Sequence, residues 1–483
     1  MKTAKETKKK NRRSKKCNHG LAALKYAAVK GGRRQSYTPT NSPARPHKKV
    51  GFRRPGTSRR VNTEVEVPSF RLRSNLRIVD PVGVEVPTCP HGPCLLFACQ
   101  SSEGTEGKFF ACSVYRDGTC QFRSAITSNG SLRNISIEND IHQQSDTAAV
   151  SSATKRKRSY GWAKRSALKL KSSGLDIYYC SNCNDAVEIP HQHEVIGPLK
   201  VSSFRKPVSL LPAIMQNGGE AQYWFTSESL RVLLDAIAAS KCDSILCIGT
   251  PSIFQHFNQS VTRRKLMNSF LLDIDARWSG FYTRKRFAQY SMLVNHFYDN
   301  MSKKKFNNFL LSARHLVIIC DPPFGIFVEA LANTLAQLSQ EFSKIHADSS
   351  SRIDYIVALS RFVGKHLDCF KTTINRIDYM VTYENHPSFK SPEKSIVRFF
   401  TTLPQRMFKL PEPAYRYCDM CERYVAKNNL HCGICGTCPS PDCSTYRHCP
   451  VCSRCVKPSY QHCTSCCRCH LSGRCLKSSI DCQ

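Results

Sequence analysis

The apolar positions between residues 222 and 402 alternate between a helical and a strand spacing. Two segments repeat apolar side chains on one helical face, at Leu230, Leu233, Leu234 and Ile237 and then at Phe327, Leu331, Leu335 and Leu338. Short apolar runs predict buried strands at residues 244–248, 270–274, 316–320, 355–359, 379–383 and 395–401. This alternation predicts a doubly wound, Rossmann-like α/β domain, to which we assign residues 201–410. Ligands of such domains bind at the carboxyl ends of the strands.

The flanking sequence lacks this periodicity and is rich in basic residues. The chain has 483 residues and a formal net charge of +35, which favours a polyanionic partner. The first 60 residues hold twenty Lys and Arg against a single acid, Glu6. We therefore predict a basic, largely disordered arm over residues 1–86, which contacts RNA loosely or targets the protein. A mitochondrial transit peptide is the alternative.

A Ser-rich insert or linker is predicted over residues 125–174, and its basic tetrad at residues 155–158 resembles a nuclear localisation signal. No run reaches the roughly 18 to 20 apolar residues of a membrane span, and the N-terminus has no apolar signal core. The sequence therefore predicts a soluble intracellular protein. Because disulfides are rare inside cells, the 27 cysteines indicate metal sites, with zinc as the expected ion.

Two small groups of Cys and His precede the α/β segment. The first spans residues 87–124, and its Cys-Pro-His-Gly start resembles a GRF-type zinc finger, a family associated with single-stranded nucleic acid. Its predicted ligands are Cys89, His91, Cys112 and Cys120, with Cys94 and Cys99 left out. The second is a C2H2-like finger over residues 175–200, with unusually close histidines and with Glu194 as a competing ligand. Its predicted ligands are Cys180, Cys183, His191 and His193.

The segment 415–483 holds fifteen of the 27 cysteines and contains an internal repeat. Three copies of the pattern His-Cys-x2-Cys-x2-Cys follow an initial Cys-x2-Cys pair. The predicted ligands are Cys418, Cys421, His431, Cys432, Cys435, Cys438, His448, Cys449, Cys452, Cys455, His462, Cys463, Cys466 and Cys469. The segment has too few apolar residues to fold without metal, so we predict a multi-zinc domain. Spacing alone leaves the pairing of these ligands open.

This repeat resembles two known ligand patterns. One is the cysteine-rich region of DHHC proteins, but the corresponding tetrad begins with Tyr460 and Gln461. Without the DHHC motif or a membrane span, acyl transfer is not expected. The other is a CCHC zinc knuckle, with the grouping Cys452, Cys455, His462 and Cys466.

The tetrapeptide Asp321, Pro322, Pro323 and Phe324 directly follows a predicted strand. Such residues also form simple turns, which is the alternative. The exocyclic amine of adenine is a poor nucleophile, so its methylation needs acceptors that align the nitrogen and stabilise the charge it acquires. The Asp321 carboxylate and the Pro322 carbonyl can be these acceptors. The prolines stiffen the loop, and Phe324 offers a ring on which an extruded adenine stacks.

The earlier strands supply candidates for binding a methyl donor. The order of segments resembles class I methyltransferases, in which S-adenosylmethionine lies across the ends of the first strands. Gly249 lets the backbone approach such a ligand, although the usual glycine-rich loop is reduced to this one glycine. Asp273 or Asp275, with Asp273 preferred, is expected to bind ribose hydroxyls. Helix capping is the alternative for either carboxylate.

The motifs at residues 222–225, 247–251, 272–275 and 321–325 lie between a GRF finger and a terminal Cys/His array. This combination resembles the CCHC zinc-finger-containing rRNA adenine-N6 methyltransferase family. The resemblance implies S-adenosylmethionine as donor, one adenosine of large-subunit rRNA as substrate, and a location in the nucleus or nucleolus and the cytoplasm. It also implies donor contacts from Gln222, Tyr223, Trp224, Phe225, Gly249, Asp273, Ser291 and Met292.

Two other functions stay open at this stage. The reduced glycine loop is compatible with a catalytically silent RNA-binding scaffold that no longer binds the donor. Related Pro-Pro motifs also serve the methylation of DNA adenine, of other RNAs and of glutamine side chains. High positive charge and the GRF finger favour nucleic acid over a protein amide, whereas the choice of RNA rests on the family resemblance.

Overall fold

The computed structural model describes most of the chain from residue 76 onward, and these residues belong to one compact unit, Val65–Gln483. The described ranges run from 76 to 475 with gaps at 101–105, 114–119, 121, 127–131, 135–157, 216–220, 260, 325, 348–349, 364–365 and 367–371. The arm up to residue 75, most of the Ser-rich insert and three residues of its basic tetrad lie outside the described residues. Within the described part, no helix is long and apolar enough to span a bilayer.

The N-terminal finger is a six-stranded antiparallel sheet with the order β1-β3-β4-β5-β6, in which β2 also pairs with β3. Its strands are β1 (Leu76–Val79), β2 (Thr88–Cys89), β3 (Gly92–Gln100), β4 (Glu106–Cys112), β5 (Arg123–Ile126) and β6 (Leu132–Asn134). The sheet therefore starts inside the segment assigned to the arm and ends inside the predicted insert. Leu76 and Ile78 of β1 pack on the cluster around Phe97, which shows why β1 belongs to the finger.

The predicted insert also contains a helix, α1 (Trp162–Ser172), followed by the hairpin of β7 (Tyr178–Cys180) and β8 (Asp185–Val187). Ala163 and Ala167 lie one turn apart, and both are buried in the main core. Two hydrogen bonds extend this contact: the Trp162 indole donates to the Asn184 carbonyl at 2.8 Å, and the Asn184 amide donates to the Arg277 carbonyl at 3.0 Å. The second finger is thus built into the α/β domain.

The α/β domain contains eight strands and five helices in the described residues. The strands are β9 (Ser244–Ile248), β10 (Asn268–Asp273), β11 (Phe287–Ser291), β12 (His296–Phe297), β13 (His315–Cys320), β14 (Arg352–Ser360), β15 (Asn375–Arg376) and β16 (Val397–Thr401). The helices are α2 (Ser227–Ser240), α3 (Pro251–Asn258), α4 (Val261–Leu266), α5 (Asn300–Ser312) and α6 (Val328–Ile345).

These strands form one mixed sheet with the order β12-β11-β10-β9-β13-β14-β16-β15. Five neighbouring strands of this sheet are parallel, namely β11, β10, β9, β13 and β14. The remaining strands, β12, β16 and β15, pair antiparallel with their neighbours. Strand order reverses direction between β9 and β13, which is the topological switch point where doubly wound sheets bind their ligands. The predicted α/β fold is confirmed, and its site is expected at the ends of these two strands.

Alternating side chains of β9 explain why the sheet is covered on both faces. Ile245 and Cys247 belong to one apolar cluster, and Leu246 and Ile248 belong to the other. Helix α2 packs on the first cluster, and α6 packs on the second. Helix α2 begins after Thr226, whose hydroxyl accepts a hydrogen bond from the Ser229 amide at 3.3 Å.

Five of the six predicted strands and both predicted helices are present, but two details differ. The strand predicted over residues 379–383 is wrong, because this buried segment makes only one isolated bridge, between Tyr383 and Phe225. Its Val381 amide donates instead to the Val397 carbonyl at 3.2 Å. Phe327 precedes α6 as its extended N-cap residue and packs on the finger cluster around Phe97.

The C-terminal array consists of three short antiparallel hairpins. Their strands are β17 (Tyr415–Cys418), β18 (Arg423–Ala426), β19 (Arg447–Cys449), β20 (Arg454–Val456), β21 (Gln461–Cys463) and β22 (Arg468–His470). Tyr415 and Ala426 of the first hairpin are buried in the main apolar cluster of the α/β domain. The array is therefore continuous with that domain.

Candidate active site and metal clusters

A cavity lies at the switch point, where β9 and β13 end beside each other. We call it the polar cavity because the carboxyl groups of Asp273 and Asp321 line it. Most predicted site residues meet there although they come from separate parts of the sequence. Those that line it are Gln222, Tyr223, Trp224, Gly249, Asp273, Met292, Asp321, Pro322, Pro323 and Phe324. Phe225 and Ser291 are not among its lining residues within the described part of the chain, and both are buried. Phe225 stacks on Tyr383 with ring centroids 5.1 Å apart.

Gly249 directly follows β9 and lies close to Met292 and Asp321, which follow two other strands. Its φ of +63° lies in the left-handed region, and its amide donates to the Leu272 carbonyl at 2.9 Å. A Cβ at this position would lie 2.9 Å from Met292 Cε and 3.1 Å from the Asp321 carbonyl oxygen. A single glycine is therefore required here by both backbone conformation and space.

The structure separates the roles of the two aspartates after β10. Asp273 is buried and lines the polar cavity, where its Oδ1 accepts the Asp275 amide at 2.9 Å. Burial and the neighbouring Asp275 raise the pKa of Asp273 to about 7. Asp275 is instead held by Arg277 at 2.8 Å and by the Gln222 side-chain amide at 2.9 Å. Of the two, Asp273 is the carboxylate available to a ligand.

Asp321 is partly buried at the end of β13 and lines the polar cavity. Its Oδ1 accepts a hydrogen bond from the Tyr383 hydroxyl at 3.0 Å. Burial raises the pKa of Asp321 to about 8, while the Tyr383 hydrogen bond opposes this shift by favouring the carboxylate. Sequence reasoning missed Tyr383, because it placed this tyrosine in a strand. A perturbed carboxyl group in a cavity is typical of a functional site.

A second cavity, which we call the apolar cavity, lies on the other side of the loop formed by Pro322, Pro323 and Phe324. Its volume is about 390 Å³, and its remaining wall comes from α6, β14 and the segment that contains His386 and Phe389. The rings of Phe324 and Phe389 are 5.5 Å apart and nearly perpendicular. The loop that carries Asp321 is therefore a wall shared by two cavities of different character.

The described residues contain five Cys/His clusters whose ligand atoms lie within 4.8 Å of one another, and a further cluster is also present. Four of the five consist of three Cys and one His, and the cluster of the second finger consists of two Cys and two His. In tetrahedral zinc sites with Zn–S bonds of about 2.3 Å, thiolate sulfurs are about 3.8 Å apart. The first cluster has the four predicted ligands of the N-terminal finger, and His91 Nδ1 lies 3.5 Å from Cys112 Sγ. The chemistry and spacing of these donors fit zinc.

The second cluster shows how two close histidines serve one site. His191 presents Nε2 to Cys183 Sγ at 3.5 Å, whereas His193 presents Nδ1 to the same sulfur at 3.5 Å. Cys180 completes the group, and its Sγ lies 3.7 Å from His193 Nδ1. Because the two rings use different nitrogens, a single intervening residue is sufficient.

The ligand groups of the C-terminal array are interleaved. In each repeat the His and the last Cys join the preceding Cys-x2-Cys pair, while the middle two Cys begin the next group. The groups are Cys418, Cys421, His431 and Cys438; Cys432, Cys435, His448 and Cys455; and Cys449, Cys452, His462 and Cys469. The zinc-knuckle grouping of Cys452 with Cys455, His462 and Cys466 is therefore wrong, because these residues belong to different groups.

The predicted ligands Cys463 and Cys466 meet two residues that sequence reasoning missed. Cys463 Sγ lies 3.8 Å from Cys475 Sγ. Cys466 interacts with both of these thiols, and so does His470. The spacing Cys463-x2-Cys466-x3-His470-x4-Cys475 is visible in the sequence. The repeat does not predict this group, because His470 and Cys475 do not fit its pattern.

The family model described as "Probable N6-adenine methyltransferase" matches residues 216–390, which include the polar cavity and most of the lining of the apolar cavity. Human rRNA N(6)-adenosine-methyltransferase ZCCHC4 is 31% identical over 412 residues, covering 80% of this chain and 78% of the relative. The chain belongs to the ZCCHC4 family. The Xenopus tropicalis protein of the same name is 31% identical over 364 residues, covering 72% and 73%, and the mouse protein is 31% identical over 366 residues, covering 72% and 70%.

Membership of the ZCCHC4 family confirms the resemblance drawn from the motifs and identifies the α/β domain as a methyltransferase domain. The matched residues contain the tetrapeptide at 321–324 and the polar cavity, whereas the Cys/His clusters lie outside the match. The roles of individual residues rest on the geometry described above.

Proposed function

We propose that this protein transfers a methyl group from S-adenosylmethionine to N6 of one adenosine in large-subunit rRNA. The observation that carries the proposal is the loop at the sheet switch point, in which Asp321 lines the polar cavity while the next three residues, Pro322 to Phe324, line both cavities. The ZCCHC4 relatives are named as rRNA N(6)-adenosine-methyltransferases, which supports rRNA as the substrate class.

The polar cavity suits the donor. Gly249 would allow the close backbone approach, and the buried Asp273 carboxylate would accept hydrogen bonds from the ribose hydroxyls. Gln222, Tyr223 and Trp224 also line this cavity and would contact the donor. The Gln222 side chain is held by Asp275 and Arg277, so this segment is fixed before any ligand binds. S-adenosylmethionine supplies an electrophilic methyl carbon when it is bound there.

The apolar cavity suits the extruded adenine, since ring stacking on Phe324 offsets part of the cost of leaving the RNA stack. Its amino group then reaches the Asp321 carboxylate and the Pro322 carbonyl at the shared wall. These acceptors hold the nitrogen and stabilise the positive charge that it acquires. With a pKa of about 8, Asp321 also takes up the proton that the methylated amine releases.

The zinc clusters contribute the RNA surface. We propose several structural zinc ions, each closed by four protein ligands and therefore not catalytic. The compartments proposed are the nucleolus and the cytoplasm, where large-subunit rRNA is assembled and used. Imaging of the tagged full-length chain tests this assignment, and confinement to mitochondria would contradict it.

The substrate is tested with methyl-labelled S-adenosylmethionine and purified large-subunit rRNA, small-subunit rRNA, DNA and protein. After digestion, the label is expected in N6-methyladenosine from large-subunit rRNA. Label in DNA, in another RNA or in a protein amide would replace the proposed substrate. Tight donor binding without transfer to any of these would argue for the scaffold function, and so would a lack of donor binding.

A further inference from the structure

His386 lies in the wall of the apolar cavity with its ring fixed in place. The residue is 8% exposed and lines the cavity beside Pro322, Pro323 and Phe324. Its ring stacks on Phe389 with centroids 4.0 Å apart and planes 7° apart, and it contacts Tyr223 at 4.5 Å. Packing on two sides leaves little freedom for the imidazole to rotate.

Backbone hydrogen bonds determine which nitrogen of this ring carries the hydrogen. The amides of Ser388 and Phe389 both donate to Nδ1, each at 3.0 Å. An acceptor Nδ1 requires the hydrogen of the neutral ring to be on Nε2. Burial lowers the pKa of His386, which favours the neutral form. The ring therefore presents Nε2 as a donor.

Within the described residues, this Nε2–H has no hydrogen-bond partner. Nε2 is not among the fully buried polar atoms of the described residues, so an acceptor that enters from outside the protein can reach this donor. Among the described side chains that line the apolar cavity, only those of His386 and Ser360 are polar. A few polar groups in an otherwise apolar pocket are what orients a bound ring.

Adenine carries a ring-nitrogen acceptor on either side of its amino group, N1 on one side and N7 on the other. The carboxylate of Asp321 and the Pro322 carbonyl are acceptors, so they recognise only the amino hydrogens. Because they contact only the amino group, these acceptors do not sense the ring nitrogens beside it. A donor in the cavity wall can sense one of them.

We propose that His386 Nε2–H donates a hydrogen bond to a ring nitrogen next to the amino group of the target adenine. This inference rests on the proposed function, because it takes adenine as the occupant of the apolar cavity. His386 then determines specificity by reading an acceptor, while Asp321 and Pro322 read the adjacent donor. The class of ligand is a purine that offers this donor–acceptor pair.

The test uses short RNA substrates that contain adenosine, 1-deazaadenosine or 7-deazaadenosine at the methylated position, with the parent protein and His386→Asn. The Asn oxygen still accepts the backbone amides of Ser388 and Phe389, but its side chain ends short of the Nε2 position. The parent should lose roughly tenfold in kcat/KM with one of the two analogues. His386→Asn should be roughly tenfold slower on adenosine and lose nothing more with that analogue.

Three controls separate the possible failures. Donor affinity of His386→Phe should match the parent, because this variant keeps a ring against Tyr223, the neighbour that lines the polar cavity. His386→Phe keeps the ring stack and should be as slow as His386→Asn. The inference is overturned if the parent methylates both analogues as fast as adenosine, or if the analogue penalty persists in His386→Asn. A parent inactive even on adenosine overturns the proposed function, and this inference with it.

Discussion

In the proposed reaction, the ionisation of the Asp321 carboxyl group controls activity. Only the ionised form accepts both a substrate amino hydrogen and, later, the proton that is released. Burial raises its pKa to about 8, so near neutral pH a large part of the free protein carries the inactive acid. Activity should therefore rise with pH up to this value.

With S-adenosylmethionine saturating, so that ionisation of Asp273 near pH 7 does not limit donor binding, we expect kcat/KM for RNA to increase roughly tenfold per pH unit below pH 8 and to level off above it. In Tyr383→Phe the hydrogen bond that favours the carboxylate is lost, so the midpoint should move to higher pH. The measurement is initial methyl transfer from pH 6 to 9.5, with zinc content checked at each end. A flat profile between pH 6 and 8 would contradict the assignment.

Gly249 is the second residue on which the site depends. Gly249→Ala adds a Cβ 3.1 Å from the Asp321 carbonyl oxygen, a backbone atom that is less able to move than the nearby Met292 methyl. The substitution also strains a left-handed backbone, so donor affinity should fall at least roughly tenfold. Gly174→Ala is the matched control, because its φ of +71° is similar but nothing lies within 4 Å of the added Cβ. Calorimetry with S-adenosylmethionine compares the two. Equal donor affinity in both variants would show that crowding at Gly249 is unimportant.

Residue chemistry in the tetrapeptide was predictable from the sequence because its neighbours along the chain are also its neighbours in space. Tyr383 and His386 were not, since they reach the shared wall from 60 or more positions downstream. Their segment is buried and extended, so its apolar pattern looks like a strand. The hydrogen bonds that define it depend on Ser229 and Val397, which no local pattern indicates.

At the scale of elements, a buried ionic group joins the first hairpin of the C-terminal array to the α/β domain. Asp378 is fully buried, and its Oδ1 lies 3.6 Å from Arg376 and 3.5 Å from Arg423. Its Oδ2 accepts the Asn429 side-chain amide at 2.7 Å. Arg423 and Asn429 belong to the array, so this carboxylate holds two parts of the chain together.

Asp378→Asn should therefore destabilise the whole protein, by about 3 kcal/mol, because two arginines lose their buried counter-charge. Exposed Glu412→Gln removes an equivalent charge nearby and should leave the free energy of unfolding unchanged. Denaturant unfolding of both variants measures the difference. A Tm and unfolding free energy for Asp378→Asn equal to those of the control would exclude this role.

Five strands and two helices of the α/β domain were predictable from periodicity because they are buried and long enough to show it, whereas two-residue strands such as His296–Phe297 show no pattern. The interleaved array does not follow, although nearly all its ligands were recognised. A repeat in sequence indicates a repeating fold, but every copy here divides its ligands between two sites. The spacing of His431 to Cys438 is compatible with several pairings, and only the hairpin geometry selects one.

At the scale of the whole molecule, the described residues contain six Cys/His clusters, five fully assigned and one around Cys463 and Cys475. We expect six zinc ions per chain by elemental analysis of the purified protein. Cys475→Ser should lower the content by one and leave methyl transfer measurable, because that cluster ends the described array. Five ions in both proteins would show that the last cluster does not hold zinc.

The finger, the α/β domain and the array are joined by direct contacts, so the Cys/His modules are fixed around one methyltransferase domain. The Tyr298 hydroxyl donates to the carbonyl of His91, a member of the first Cys/His cluster, and Phe97 packs on Phe327 with ring centroids 5.5 Å apart. Phe327 lies three residues after Phe324. The N-terminal finger thus contacts the segment that follows the loop from Asp321 to Phe324.

The role of the Asp321 carboxylate in methyl transfer is tested most directly by comparing Asp321→Asn with the parent protein, both in methyl transfer and in binding. Asn has nearly the same volume but no charge and no ability to take up the released proton. We predict that turnover of rRNA falls roughly 100- to 1000-fold, while affinities for S-adenosylmethionine and RNA stay within about twofold. Turnover equal to that of the parent would show that the Asp321 carboxylate is not needed for methyl transfer, whatever the binding data show.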